Sequence, residues 1–454
     1  MVTGLWFKAS KVPGKLQLID GHKILAFAGR IHSSNNTLKP FSYSVCNTYP
    51  IPPRMSKLSE RIKLFNAGLL PDMVKLKYEA MAENAFRYYR GTCHLFYEDL
   101  ASTEIFPASP LTWICGDLHL ENYGSYKADN RLVYFDLNDF DESILGPALW
   151  EVARMVTSIC IAFDELDIEP EKAANMAQLF VKTYAATLCK GKATSIDPRT
   201  AKGIVCNFLT AAAQNGYTVV LKKRTDKKKK KVVLSLSDER HFKIKKHLKL
   251  VLMDHIQQWI DQSSDSPYNY KVKDAVFRLA GTGSIGLKRY LFLLKSTNTK
   301  NHYLLVDMKQ SRASSLSPYT KVKQPEWTSD AERIIAVQQR MQNVSASLLS
   351  ATLFHDEPYV IQELQPVKDT IKFKLIRDQY RDIYQVIDDM AALTASAQLR
   401  SGGMNGSATI DDLKAFGSNT AWQQKLLDYC FEYCKKVKED YGQFVRDLKA
   451  GAFD

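Results

Sequence analysis

The sequence predicts an α+β protein, with helices at both ends of the chain and a β-rich segment between them. Three observations point there. Residues 56–101 and 375–450 carry helical spacing of apolar positions. Residues 148–163 and about 170–189 form longer helical patterns, the first of the buried kind. Short strand-like runs crowd into 276–362, around a glycine-rich turn. The chain has 454 residues, 45% hydrophobic and 24% charged, enough to bury a large core.

Residues 1–55, rich in Ser, Asn, Thr and Pro, read as an N-terminal extension. Residues 56–269 read as a helical region that includes 111–114 and 132–135 as short strands. Within 270–365, strands are expected at 276–280, 288–294, 303–308 and 359–362, with a helix over 327–349. Residues 366–454 are expected to be helical and to pack back on the first region. No stretch reaches the roughly 18 apolar residues of a membrane span, and the first residues lack a signal peptide's long apolar region. The eight cysteines form no Cys-x-x-Cys pair and read as reduced thiols of a cytoplasmic protein.

The chemistry is carried by loops. Gly116-Asp117-Leu118-His119-Leu120-Glu121-Asn122 is followed by Asp139-Phe140-Asp141. An acid, an Asn five residues later and a second acid before an aromatic are what a kinase-type phosphoryl-transfer centre requires. Asp117 would accept an attacking hydroxyl's proton, while Asn122, Asp139 and Asp141 would offer oxygens to Mg²⁺. Asp139 and Asp141 share one side if the chain stays extended, whereas Asp136 needs a turn to join them. Such close carboxylates repel unless a cation is present. A solvated polar loop uses the same residue types.

Gly281-Thr282-Gly283-Ser284-Ile285-Gly286 joins two expected strands. A dinucleotide-binding glycine loop would run into a helix, and a Walker loop would end in Gly-Lys-Ser/Thr. A hairpin of glycines lets backbone amides approach phosphates, and plain β-hairpin turns use glycine too. Lys309 ends the next strand, where a kinase places its phosphate-contacting lysine. Glu332, Gln338 and Gln339 on the following helix are candidate partners for it.

The net charge of +13 favours acidic partners such as nucleotide phosphates. The lysine-rich run 222–231 lacks interleaved aromatics, which counts against nucleic acid and favours a solvated helix or loop.

Together these motifs resemble the kinase-like phosphotransferases, especially the aminoglycoside and choline kinase branch. Its catalytic loop reads Gly-Asp-x-His-x-x-Asn, as 116–122 does. Glu151, in Gly146-Pro147-Ala148-Leu149-Trp150-Glu151-Val152-Ala153-Arg154, stands where that branch usually has Asp. The chain as a whole resembles an uncharacterised bacterial family, domain of unknown function 2252, over roughly residues 56–445. That family commonly has Lys-Glu-Ala where this chain has Lys309-Gln310-Ser311.

The resemblance implies a two-lobed, kinase-like fold. Ordinary kinases place the glycine loop and lysine before the catalytic loop; here they follow it by about 160 residues, which implies circular permutation. The nucleotide lobe would be 270–365, with Glu363, among 362–365, near the adenine. The expected activity is ATP- and Mg²⁺-dependent transfer to a small-molecule or protein hydroxyl. Asp117, Asn122 and Lys309 would be catalytic. Gly281, Gly283, Ser284, Gly286, Lys309 and Glu363 would bind nucleotide. An AMP-transferring enzyme and a nucleotide-binding scaffold are the alternatives.

Overall fold

Four short helices open the described chain: α1 (Leu58–Asn66), α2 (Pro71–Met81), α3 (Ala85–Gly91) and α4 (Cys93–Ala101). The computed structural model describes residues 57–453, apart from 104, 215–216, 229–230 and 365–369; the expected N-terminal extension lies outside them. Pro71 starts α2, where its missing N–H costs nothing. Asn84 caps α3, accepting from the Arg87 amide at 2.8 Å.

Two short antiparallel pairs follow. Strand β1 (Leu111–Ile114) leads into the Gly116 loop, a 3₁₀ turn at Leu120–Asn122 and the hairpin β2 (Tyr123–Lys127)–β3 (Val133–Leu137). Strand β4 (Ile144–Pro147) returns to pair with β1. Gly146 and Pro147 therefore end a strand. Helix α5 (Ala148–Asp164) starts at the next residue and is buried along nearly its whole length, and α6 (Pro170–Lys190) packs beside it.

Helices α7 (Gly203–Gln214) and α8 (Tyr217–Arg224) precede the hairpin β5 (Thr225–Lys228)–β6 (Lys231–Leu234). The basic run thus forms a helix end and a hairpin, with Lys227, Lys228 and Lys231 exposed.

Next come β7 (His241–Phe242), α9 (Lys246–Gln262), β8 (Tyr270–Arg278), β9 (Arg289–Ser296), β10 (Tyr303–Gln310), α10 (Asp330–Met341), β11 (Ser350–Phe354) and β12 (Glu357–Glu363). Their antiparallel sheet has the order β11-β12-β10-β9-β8-β7. Lys309 on β10 lies opposite Arg289 on β9 and Val360 on β12. The helix expected over 327–349 is shorter, because Gln342 turns extended and β11 takes up the chain.

Helices α11 (Tyr380–Arg400), α12 (Ile410–Ser418) and α13 (Ala421–Lys449) complete a mixed α+β fold. The main core joins α5, α6, α11 and α13 with β1 and β3. A second core covers one face of the large sheet and takes in Leu252 and Ile256 of α9, which lies before the expected boundary at 270. Helix α10 buries Ala331, Ile334 and Val337 in the main core and so ties the sheet to the helices. Among the described residues, seven cysteines are free thiols, and no helix is long and apolar enough to cross a membrane.

Candidate active site

Gly116 is fixed by its surroundings. Its φ is +82°, and a Cβ there would lie 2.3 Å from the Glu142 carbonyl oxygen. Only glycine permits the 116–122 loop to pass so close to the acidic loop. Glu151, fully buried on α5, accepts from Cys115 Sγ at 2.6 Å and from the Cys115 and Gly116 amides at 3.3 Å. Burial pushes its carboxyl up to about 7. Tyr97 donates its hydroxyl to the Gly116 carbonyl.

One turn after Glu151, Arg154 reaches the same loop. Its Nη2 and Nε donate to Asp117 Oδ1 at 2.8 and 3.1 Å, and Nη2 also donates to the Tyr89 carbonyl at 2.8 Å. The guanidinium lies 3.6 Å from the Tyr89 ring centre. His119 is buried, and desolvation, then Arg90, holds its imidazole well below its usual range. Arg90 donates from Nε to His119 Nε2 at 3.0 Å and pairs with Glu121.

Asn122 braces the two loops. Its Nδ2 donates to the Asp117 and Asp139 carbonyls at 3.2 and 3.1 Å. Its Oδ1 accepts from the Asp139 and Asn138 amides at 2.8 and 3.2 Å. Both lone pairs of the oxygen expected to face Mg²⁺ are therefore taken by backbone.

Asp139 and Asp141 do share one side, and Lys309 meets both. Lys309 pairs with Asp141, and its Nζ lies 3.8 Å from Asp139 Oδ1. Burial, then Asp139, raises the Asp141 carboxyl, and Lys309 opposes that rise. Asp136 does not join them. It is buried beneath Arg400, whose Nη1 lies 3.4 Å away. Helix α10 reaches the acidic loop through Arg333, which donates to the Asp141 carbonyl at 3.0 Å and to the Arg312 carbonyl at 2.8 Å. Glu332 does not pair with Lys309; it accepts from Thr328 at the helix start, and Gln338 donates to Gln342. Beside Lys309, Asp307 binds both Arg278 and Arg289 at 2.7 Å, which hold its carboxyl well below the usual range despite burial.

Residues 279–288 run from β8 into β9, strand to strand as expected. Gly281, Gly283 and Ser284 line an open cavity together with Asp117, Asp139 and Asp141. Gly286 has a packing role instead. Its φ is +100°, a Cβ would strike Leu69 at 2.8 Å, and its carbonyl accepts from the Leu70 amide at 3.0 Å. Glu363, expected at the nucleotide, is not among the residues lining this cavity and pairs with Arg131 at 3.2 Å.

Arg154, Lys77, Arg312 and Arg333 were not singled out by sequence. A signal existed for Arg154: a charge one turn after Glu151 on an otherwise apolar helix must find a buried partner.

Residues 69–447 match the family model described as an uncharacterized protein conserved in bacteria (DUF2252). Neither a curated protein nor a solved structure matches the chain. The matched span holds the Gly116 loop, the acidic loop, the glycine turn and Lys309, and the chain belongs to this bacterial family.

Proposed function

We propose that this protein is an ATP- and Mg²⁺-dependent phosphotransferase acting on a hydroxyl acceptor. Its fold in this reading is kinase-like, with the catalytic-loop half ahead of the glycine-loop half. One observation carries the proposal: Lys309, on the third strand after a strand–glycine turn–strand unit, meets Asp139 and, from 168 residues earlier, Asp141. A phosphate-contacting lysine and metal-binding acids converge in this way in kinase-type sites.

The acceptor oxygen would bond to the γ-phosphorus as the bond to the β–γ bridging oxygen breaks. That electron pair leaves with ADP, and the hydroxyl proton passes to Asp117. Arg154 fixes Asp117 Oδ1 in the cavity wall. The glycine turn would cover the phosphates, and Lys309 would exchange its carboxylate partners for them.

Among the described residues, no three or more His, Cys, Asp or Glu side chains are grouped to hold a metal. Mg²⁺ at phosphoryl-transfer sites commonly relies on one or two carboxylates, with substrate phosphates and water completing its shell. Asp139 and Asp141, two close carboxylates already drawing one cation, fit that donor set. Held there by Asp139 and Asp141, Mg²⁺ would supply positive charge against the phosphates of the nucleotide. Asn122 serves as a brace for the loops in this reading.

The test is the thermal shift produced by ATP with and without Mg²⁺. The parent should be stabilised most by both together, and Asp139→Ala and Lys309→Ala should lose that response. A parent-like response in both variants would remove the site. Transfer of label from γ-labelled ATP supports the reading, whereas transfer from α-labelled ATP replaces it with AMP transfer.

A further inference from the structure

The large sheet has two covered faces. Helix α9 packs on one, against Phe277 and Phe292. On the other, α8 and the β5–β6 hairpin cover Val276, Leu291, Leu293 and Leu305. In the hairpin, Val232 and Leu234 turn to the sheet, so alternation turns Lys231 and Val233 outward. Lys228 stands directly across from Lys231, and Asp226 across from Val233. In α8, Val220 and Leu221 turn to the sheet, and helical spacing gathers Val219, Lys222 and Lys223 on the opposite side. Beyond the hairpin, Lys295 shares the covered face with Leu291 and Leu293 and stands directly across from Lys271.

These charges are not neutralised within the chain. Among the described residues, Lys222, Lys223, Lys228, Lys231, Lys271 and Lys295 take part in no ion pair. Arg224 and Lys249, by contrast, hold Asp238 and Asp274. Asp226 is the acid on the hairpin's outward side. Like charges directly across a strand pair, as at Lys228–Lys231 and Lys271–Lys295, cost stability. An anionic surface laid over them removes that cost.

Two apolar side chains rise among the lysines. Val219 is 57% exposed and Leu236 is 44% exposed. Leu236 lies beside the end of α8, because the Ser235 amide donates to the Arg224 carbonyl at 2.9 Å. No aromatic residue falls between 219 and 236 to stack on bases. Lysines also lack the planar fork with which arginine grips single phosphates. Diffuse ammonium charge beside exposed aliphatic groups is the chemistry of a bilayer interface.

We infer that this face docks on an anionic lipid bilayer. Lys222, Lys223, Lys228 and Lys231 meet the headgroup charge, while Val219 and Leu236 enter the headgroup–acyl boundary. The inference goes beyond the phosphotransferase reading and does not depend on it.

The experiment is co-sedimentation of the full chain with vesicles of phosphatidylcholine alone and of phosphatidylcholine with phosphatidylserine, at low and high salt. One variant combines Lys222→Gln, Lys223→Gln, Lys228→Gln and Lys231→Gln. A second combines Val219→Ser and Leu236→Ser. A control removes the same charge from exposed lysines of the helical half, by Lys182→Gln, Lys190→Gln, Lys192→Gln and Lys425→Gln. Circular dichroism and urea midpoints establish that each variant folds. The parent should bind the phosphatidylserine vesicles and not the neutral ones. Affinity should fall by roughly fivefold for each patch lysine removed and stay within twofold in the control. The serine variant should bind more weakly and lose the binding that survives high salt. Absence of binding by the parent, or an equal loss in the control, overturns the inference. Unchanged binding by the serine variant overturns it as well, because the apolar groups then play no part. Displacement of the parent from the vesicles by polyuridylate or duplex DNA overturns it by giving the patch to nucleic acid.

Discussion

Arg154 Nη2 lies 2.8 Å from Asp117 Oδ1, and the arginine side chain is wholly buried beneath the loop that it orients. A lysine there would keep the charge. It would lose the two-nitrogen grip on one oxygen and the stack on Tyr89. Arg154→Lys should therefore lower stability by about 2–4 kcal/mol in urea titration. On the proposed function, its transfer rate should fall while the ATP-induced thermal shift persists. A parent-like rate would make the pair a fold element only.

Gly116 and Gly403 provide a matched comparison. Both have positive φ, +82° and +73°, but a Cβ at 403 meets no atom within 4 Å. Gly403→Ala should cost about 1–2 kcal/mol, the strain of the left-handed backbone alone. Gly116→Ala carries the same strain and must also push the Glu142 carbonyl aside. Its urea midpoint should fall clearly further, and a midpoint equal to that of Gly403→Ala would contradict the close approach.

Glu151 makes stability depend on pH in a definite direction. Its folded pKa is raised from 4.5 to about 7, so the folded state holds a proton that the unfolded state releases. Its contribution is fully present below about 4.5 and is lost as pH rises through 7. Parent stability minus that of Glu151→Gln should fall across this window by on the order of 1–3 kcal/mol. Parallel curves from pH 4 to 8 would refute the assignment.

Lys309→Met should leave Asp139 and Asp141 facing each other without their cation. Since Asp139 is 54% exposed, solvent blunts the effect, and a loss of about 1–3 kcal/mol is expected. Adding Asp141→Asn should recover much of it, measured as non-additivity in a double-mutant cycle. Strict additivity would show that the pair is not coupled.

Local motifs were readable because their residue types answer to local demands. The strand–turn–strand setting of Gly281 and the strand position of Lys309 follow from short-range pattern. Asp139 and Asp141 were expected on one side of an extended backbone; they meet Lys309 together although a turn begins at Asp141. Residues whose partners come from afar were hidden. Lys77 reads as one more lysine on an amphipathic helix until Arg312 and Asp117 are seen beside it. Glu332 reads as a charge on a helix, although its carboxylate is taken by the Thr328 amide and hydroxyl ahead of the Ser329 cap. Asn122 offers an oxygen on paper, and only the fold shows two backbone amides occupying it. Strand β11 was missed because Ser350–Phe354 is short and half of its pattern faces solvent.

The order of the two halves bears on how the chain is made. Asp141 precedes Lys309 by 168 residues. At roughly 5–20 residues per second, a ribosome would release the acid on the order of ten to thirty seconds before its cation. During that interval the nascent acidic loop has no lysine strand to close upon, and the cleft is among the last features to form. Contacts so distant in sequence slow folding, which leaves the unfinished first half a natural client for chaperones during translation.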